Sequence, residues 1–118
     1  MKKEEIIKKS KEFDQIINNQ KFVKDNNFII YYCYNSKNRF GISVGKKIGN
    51  AVTRNYHKRV IRNICDINKK LYSKTKDYII IMRKGCISLS FKEKNDSFVS
   101  LINKIQNKEK EPENEKKN

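Results

Sequence analysis

The 22 residues from Ala51 to Tyr72 contain neither glycine nor proline and have the periodicity of a helix. Asn50 comes directly before them and is a favourable N-cap, because its side chain can accept a hydrogen bond from an otherwise unpaired amide of the first turn. The segment is therefore predicted to form the longest helix of the protein. At about 100° per residue, its apolar residues share one side, which we expect to face the core. These residues are Val52, Tyr56, Val60, Ile64, Ile67 and Leu71.

The opposite side of this helix is cationic. Five residues fall within an arc of about 140° on that side: Arg54, Asn55, Lys58, Arg59 and Arg62. A rise of about 1.5 Å per residue spreads them over about 12 Å, enough to meet several successive phosphates. Lys46 and Lys47 lie just before the helix, where its N-terminal dipole and free amides favour anions. We call these seven residues the basic ridge and predict that it binds phosphates in a fixed array.

The charge balance favours a polyanionic partner for the basic ridge. The 118 residues include 28 Lys and Arg against 13 Asp and Glu, a net charge of +15. The segment from Asn26 to Cys65 contains no carboxylate and holds eight cations, among them Lys37 and Arg39. The alternative interpretation is an ordinary solvated helix surface, but such a surface normally mixes both signs. Arginine is also concentrated in the ridge, and its planar fork pairs with phosphate in a way that lysine does not.

The rest of the chain predicts an α+β fold. A helix is expected from Ser10 to Asn18, with Ser10 as its N-cap. Phe28 to Tyr34 and Arg39 to Val44 are predicted strands, and we expect them to pair as a hairpin across the turn at residues 35–38. The nearly continuous apolar run from Tyr78 to Met82 suits a central strand that is covered on both sides.

A capping-box pattern, Ser90 followed by Glu93, predicts the start of a last helix. Its apolar stripe is predicted to comprise Phe91, Phe98, Leu101, Ile102 and Ile105. The predicted architecture is a single-domain sandwich of one mixed sheet of about four strands packed with helices, in the order α-β-β-(β)-α-β-α. This domain is expected to span residues 1–107. Residues 108–118 have no apolar side chain and are predicted to form a disordered, charged tail.

Several function classes lack the residues that they require. Cys33, Cys65 and Cys86 are widely spaced, so no close pair of Cys or His ligands predicts a metal site. His57 lies near the apolar side of the long helix and is interpreted as a packing residue rather than a general base. The acids are scattered and form no metal-binding cluster. We therefore predict no catalytic residue in the protein itself.

No segment suits a membrane or a secretory signal. The longest unbroken apolar stretch, Phe28 to Tyr34, is far shorter than the roughly 20 residues that cross a bilayer. The residues from Met1 to Lys9 lack the apolar segment of a secretory signal. We expect a cytoplasmic protein without a membrane partner.

Phe13 and Tyr31 are candidates for stacking on unpaired bases, as aromatic residues do in proteins that bind single strands. Phe13 belongs to the first predicted helix and Tyr31 to the first predicted strand. Taken alone, each is more often a core residue, because aromatic side chains at element spacing usually pack. Both interpretations remain open at the level of the residues.

The segment from Arg39 to Arg62, RFGISVGKKIGNAVTRNYHKRVIR, closely resembles the signature of the bacterial ribonuclease P protein family. The likeness extends from Lys8 to about Ile105 and so covers nearly everything except the tail. It departs from the family at three positions. Tyr56 stands where a basic residue is usual, His57 where an aliphatic one is usual, and Ile17 where the first helix commonly has a second aromatic residue.

The resemblance implies the protein subunit of a ribonucleoprotein that removes the 5′ leader of precursor tRNA by magnesium-assisted phosphodiester hydrolysis. The RNA subunit is catalytic and, with the substrate, holds Mg²⁺, whereas the protein is a cofactor, expected as a monomer with one RNA. By the resemblance, the basic ridge faces the catalytic RNA, and Phe13 and Tyr31 line a cleft for the single-stranded leader. The family fold also includes a left-handed βαβ crossover.

Two alternatives use the same residues differently. The first is a ribosomal or other RNA-binding protein that takes no part in cleavage. The second is a stand-alone metal-dependent nuclease, which the sequence disfavours because the carboxylates that would hold the metal are missing.

Overall fold

The computed structural model describes residues 1–72 and 75–110. Its helices are α1 (Ser10–Asn18), α2 (Ala51–Ile67) and α3 (Phe91–Lys110). Its strands are β1 (Phe22–Lys24), β2 (Phe28–Tyr34), β3 (Arg39–Ser43) and β4 (Lys76–Met82). Short 3-10 turns occupy Lys3–Glu5, Lys46–Ile48, Lys69–Leu71 and Lys84–Cys86. The α+β class is confirmed, and so is the order of helices and strands. The additional strand is β1, which precedes the two predicted strands, whereas the predicted order places it after them.

The four strands form one mixed sheet in the order β1-β2-β4-β3. β1 pairs with β2 and β2 with β4 in antiparallel fashion, whereas β3 runs parallel to β4. The predicted hairpin between β2 and β3 is therefore wrong, because β4 lies between them. The connecting segment wraps around the start of β4: the Lys76 amide donates to Asn38 Oδ1 at 2.9 Å, and the Asn35 amide donates to the Thr75 carbonyl at 3.3 Å.

β4 takes the central position that its apolar run predicts. Pairing on both edges satisfies its backbone, and both of its faces are covered. β3, α2 and β4 form a parallel βαβ unit, as the family resemblance implies, and the left hand of this crossover stays a prediction.

The apolar clusters on the two faces of the sheet differ in size. The main core lies between the sheet and the pair α2 and α3, and its fully buried members include Phe28, Ile30, Tyr78, Ile80, Phe98 and Ile102. On the other face, α1 packs on β2 and β4 and makes a smaller cluster of Ile7, Ile16 and Ile79. Strand alternation places Tyr31 and Cys33 on this thinner side. No helix in the part of the chain that the structure describes is long and apolar enough to cross a bilayer.

The ends of the helices are partly as predicted. Asn50 caps α2, accepting a hydrogen bond from the Thr53 amide at 2.9 Å, and the capping box between Ser90 and Glu93 is formed. α1 begins at Ser10, but its N-cap is Lys9, which makes no side-chain capping bond. α3 buries its predicted stripe except for Phe91, and it continues to Lys110, past the predicted domain boundary at 107. The rest of the predicted tail, residues 111–118, lies outside the described residues.

α2 is shorter than predicted and is turned about its axis. It ends at Ile67, where the Asn68 side chain donates to the Ile64 carbonyl and to Asn95 Oδ1 of α3, both at 2.8 Å. Its buried stripe is His57, Ile61, Ile64 and Cys65. Three residues assigned to the core are instead exposed, namely Val52 (79%), Tyr56 (53%) and Ile67 (56%). The sheet and α3 cover only the side of α2 that is centred near Ile61. The apolar residues extend further around the helix than this covered side, so some of them stay exposed.

Candidate nucleic-acid interface

The basic ridge is mostly open to solvent. Lys46 and Lys47 are exposed on the 3-10 turn directly before α2, and Arg59 and Arg62 are exposed on α2 together with Asn55. In residues 1–72 and 75–110, no carboxylate forms an ion pair with a cation of the ridge. These cations are therefore available to an external anion.

Arg54 and Lys58 lie deeper than the other ridge residues, and both are half-buried. Arg54 is only about 60° around the helix from His57, which belongs to the buried stripe of α2. Its Nε is buried and has no hydrogen-bond partner within the described part of the protein. A buried donor without a partner is costly, so an RNA oxygen that reached this atom would remove that cost.

Arg39 is one of the eight cations in the segment without carboxylates, but the structure pairs it with carboxylates from other elements. Its Nε and Nη2 donate to the two carboxylate oxygens of Asp77 at 2.8 Å each, and its Nη1 donates to Glu12 at 2.9 Å. The hydrogen bonds to Asp77, and then that to Glu12, raise the pKa of the Arg39 guanidinium despite its partial burial. This residue ties α1 to β3 and β4, and it does not extend the basic ridge.

Phe13 lies on the opposite side of the sheet from α2 and packs directly on Gly41 of β3. A Cβ added at Gly41 would lie 2.5 Å from Phe13 Cζ and 2.8 Å from Ile79 Cδ1, so only glycine allows this approach. Phe13 and Tyr31 both border the small cluster beneath α1, and both are half-buried. The structure therefore brings the two predicted stacking residues to one face.

Phe22 of β1 belongs to the same face, although no pattern in the sequence predicts this. It is directly opposite Tyr31 in the β1/β2 register, with ring centroids 5.3 Å apart and planes tilted by 43°. The Phe22 side chain is 38% exposed. A three-residue strand is too short for an alternation pattern, so only its pairing with β2 shows where this ring lies. We call Phe13, Phe22 and Tyr31 the aromatic cleft.

Comparison with known proteins gives the same family as the signature. The family model described as Ribonuclease P matches residues 1–106. The chain belongs to the ribonuclease P protein family. It is 45% identical over 109 residues to the ribonuclease P protein component of Mycoplasma mycoides, a match that covers 90% of this chain and all of that protein. It is 41% identical over 120 residues to the Streptococcus pyogenes serotype M5 component, covering 99% of each.

Solved structures of ribonuclease P proteins share the fold. A Staphylococcus aureus ribonuclease P protein mutant with defective mRNA degradation activity has a TM-score of 0.81 and 33% identity, covering 88% of this chain and 90% of that one. The protein from Thermotoga maritima has a TM-score of 0.77 and 27% identity, covering 83% and 94%. The α+β sandwich is therefore the fold of the ribonuclease P protein family.

Within residues 1–72 and 75–110, no group of three or more His, Cys, Asp or Glu side chains is arranged to hold a metal ion. Two carboxylates that meet at one side chain, those of Glu12 and Asp77, both accept hydrogen bonds from Arg39. Because the Arg39 guanidinium already pairs with them, these two carboxylates do not fit a resident cation on this ribonuclease P protein.

His57 is confirmed as a packing residue, buried in the interface between α2 and α3 with its ring 5.3 Å from that of Tyr56. Burial, and secondly the Lys94 ammonium on α3, lower the pKa of His57 below its usual value near 6.5. The unfolded chain therefore binds more protons than the folded one as the pH falls below 6.5, and the free energy of unfolding decreases over that range.

We expect His57→Leu to flatten this dependence, because leucine has no charge to exclude from the interface. The measurement is urea unfolding, followed by circular dichroism, at several pH values between 5 and 8. The acids titrate in both proteins, so the difference between the two curves isolates His57. Parallel curves for the variant and the wild type would contradict the prediction.

Proposed function

We propose that this ribonuclease P protein subunit docks on the catalytic RNA through the basic ridge and holds the 5′ leader of precursor tRNA in the aromatic cleft. The RNA then cleaves the phosphodiester bond with the assistance of Mg²⁺. The observation that carries the proposal is the placement of two chemically different surfaces on opposite sides of one sheet. One is rich in guanidinium and ammonium groups, and the other presents aromatic rings.

Each surface suits a different state of RNA. Cations spaced along α2 match the repeating charge of a folded backbone, and each phosphate contact releases about one counterion. Aromatic rings on an open sheet face suit unpaired bases, because every base has a face to stack, whatever its identity. A protein with both surfaces can therefore hold a folded RNA and a single strand at the same time.

The contribution to cleavage is binding and orientation. Two polyanions, the catalytic RNA and the precursor tRNA, repel each other, and a protein of net charge +15 placed between them lowers that repulsion. Holding the leader also reduces the freedom of the scissile bond relative to the catalytic RNA. Magnesium, when bound by the RNA and substrate, supplies the activation of water and the stabilisation of the leaving oxygen. The protein's residues bind and orient the substrate for that chemistry.

The deciding experiment is reconstitution with the cognate catalytic RNA at low magnesium concentration, followed by measurement of precursor tRNA cleavage. We expect the protein to stimulate cleavage strongly. An RNA-binding protein without a part in processing would bind RNA but give no stimulation. Cleavage by the purified protein free of RNA would instead identify a stand-alone nuclease.

Tyr31→Ala is expected to weaken binding of precursor tRNA to the reconstituted enzyme by roughly 5- to 150-fold, the range for loss of one stacked base. Mature tRNA, which has no leader, should bind as before. Tyr31→Phe is the matched control, because it keeps the ring and removes only the hydroxyl. Affinities are measured by titrating labelled tRNA at fixed salt concentration. Equal losses for precursor and mature tRNA would contradict the assignment of Tyr31 to the leader.

A further inference from the structure

A shallow, open groove of about 500 Å³ runs between α2 and the first turn of α3. It is lined by Arg59, Val60, Arg62, Asn63, Asp66 and Phe91. The groove shares its two arginines with the basic ridge but opens toward α3, away from the aromatic cleft on the other side of the sheet. Its size is within the range of pockets that hold small ligands.

Phe91 gives the groove an exposed aromatic ring. The sequence pattern assigned this ring to the core stripe of α3, but it is 44% exposed. Its backbone is held at the first position of α3 by the capping box, in which the Ser90 amide donates to Glu93 at 2.9 Å. Tyr56 lies one turn before Val60 on the same side of α2 and is also exposed. An apolar strip that includes the exposed Phe91 ring therefore borders the arginines.

The chemistry of the lining fits a nucleotide better than a bare phosphate. The Phe91 ring offers a stacking surface, and the guanidiniums of Arg59 and Arg62 offer donors to a phosphate at the rim. Asn63 adds a hydrogen-bond acceptor, which suits the amino and ring N–H groups on a base edge. Asp66 Oδ2 accepts from the Met1 ammonium at 2.8 Å, which leaves Oδ1 as a second acceptor. Acceptor oxygens in the lining disfavour a phosphate inside the groove, whereas the two guanidiniums at the rim favour it there. The base is therefore expected inside and the phosphate outside.

We propose that this groove binds one unpaired base of the catalytic RNA, with the base stacked on Phe91 and its phosphate held by Arg59 and Arg62. The inference rests on the proposed function, because it assumes that the basic ridge faces that RNA. It adds a point of recognition for an unstacked nucleotide, which RNA presents in bulges and loops but not in a regular helix. The ridge would then identify a particular place on the RNA in addition to supplying charge.

Binding of the full-length protein to the cognate catalytic RNA, measured across a range of salt concentrations, tests the proposal. Phe91→Ala should weaken binding by roughly 5- to 150-fold without changing the slope of log Kd against log salt, because stacking releases no counterion. Phe91→Tyr should restore binding, since it keeps the ring. Ile87→Ala is the matched control, because Ile87 is 42% exposed just before α3 and lies outside the groove lining. It should bind like the wild type.

Photocrosslinking supplies an independent readout. With benzoylphenylalanine at position 91, we expect crosslinks confined to one or two unpaired nucleotides of the catalytic RNA. Crosslinks to a second copy of the protein, or scattered over paired RNA, would overturn the proposal. Wild-type affinity of Phe91→Ala, alongside weakened binding by Arg59→Ala, would overturn the groove while leaving the proposed function intact. If the wild-type protein does not bind the catalytic RNA, both fail together.

Discussion

Replacing Arg39 with alanine is expected to lower the free energy of unfolding by about 3 kcal/mol, because a buried carboxylate would lose its cation. Asp77 is buried in the central strand β4 and is bonded on both oxygens by the Arg39 guanidinium. After the substitution, Asp77 would keep the hydrogen bond from the side-chain amide of Asn35, whose Nδ2 lies 2.8 Å from Oδ1. An amide dipole does not replace a full charge in a poorly solvated position.

The same substitution should loosen α1, since Arg39 also binds Glu12. Hydrogen exchange of the α1 amides should therefore accelerate more than that of α3 amides, and urea unfolding gives the free energy. Arg39→Lys should lose less, because one ammonium keeps the charge but cannot make the paired bonds. The matched control is Lys92→Ala, which removes an exposed pair with Asp96 and should leave stability almost unchanged. Equal stability of Arg39→Ala and Lys92→Ala would contradict the structural role.

The parts of the fold that the sequence predicts well are the parts decided locally. α1 and β2 follow from the periodicity of their apolar residues, and the start of α2 follows from the adjacent cap, Asn50. The insertion of β4 between β2 and β3 follows from pairing across more than 40 residues, which no local pattern contains. The turn of α2 about its axis depends likewise on how much of the helix the sheet and α3 cover.

The candidate site shows the same division. Sequence patterning identifies the basic ridge because its cations repeat along one helix. It misjudges Arg39, since a cation is recognised as internal only when its partner, Asp77, is known to lie beside it. It misses Phe22, because the ring joins the aromatic cleft through strand pairing. It also assigns Phe91 to the core, but this ring lines the open groove beside α2 and is exposed there.

The double variant Arg59→Ala/Arg62→Ala is expected to weaken assembly with the catalytic RNA by about 100-fold near 0.1 M salt, because each lost arginine removes about 1.4 kcal/mol of phosphate binding. Both side chains are exposed, so the fold should be retained. The slope of log Kd against log salt should fall by about two, since two fewer counterions are released. Cleavage at saturating protein should recover, because the variant changes docking rather than chemistry.

A matched control separates docking from net charge. Lys37→Ala/Lys104→Ala also removes two exposed cations, but from the β2–β3 connection and from α3. Long-range attraction depends on total charge and is screened over about 10 Å at this salt concentration, so this control should lose only a small part of the affinity. If both double variants lost affinity and slope equally, binding would depend on the charge of the whole protein and not on α2. A loss confined to the α2 variant would assign the phosphate contacts to the ridge. Both double variants remove two positive charges, so a larger effect on α2 requires that Arg59 and Arg62 contact the RNA directly.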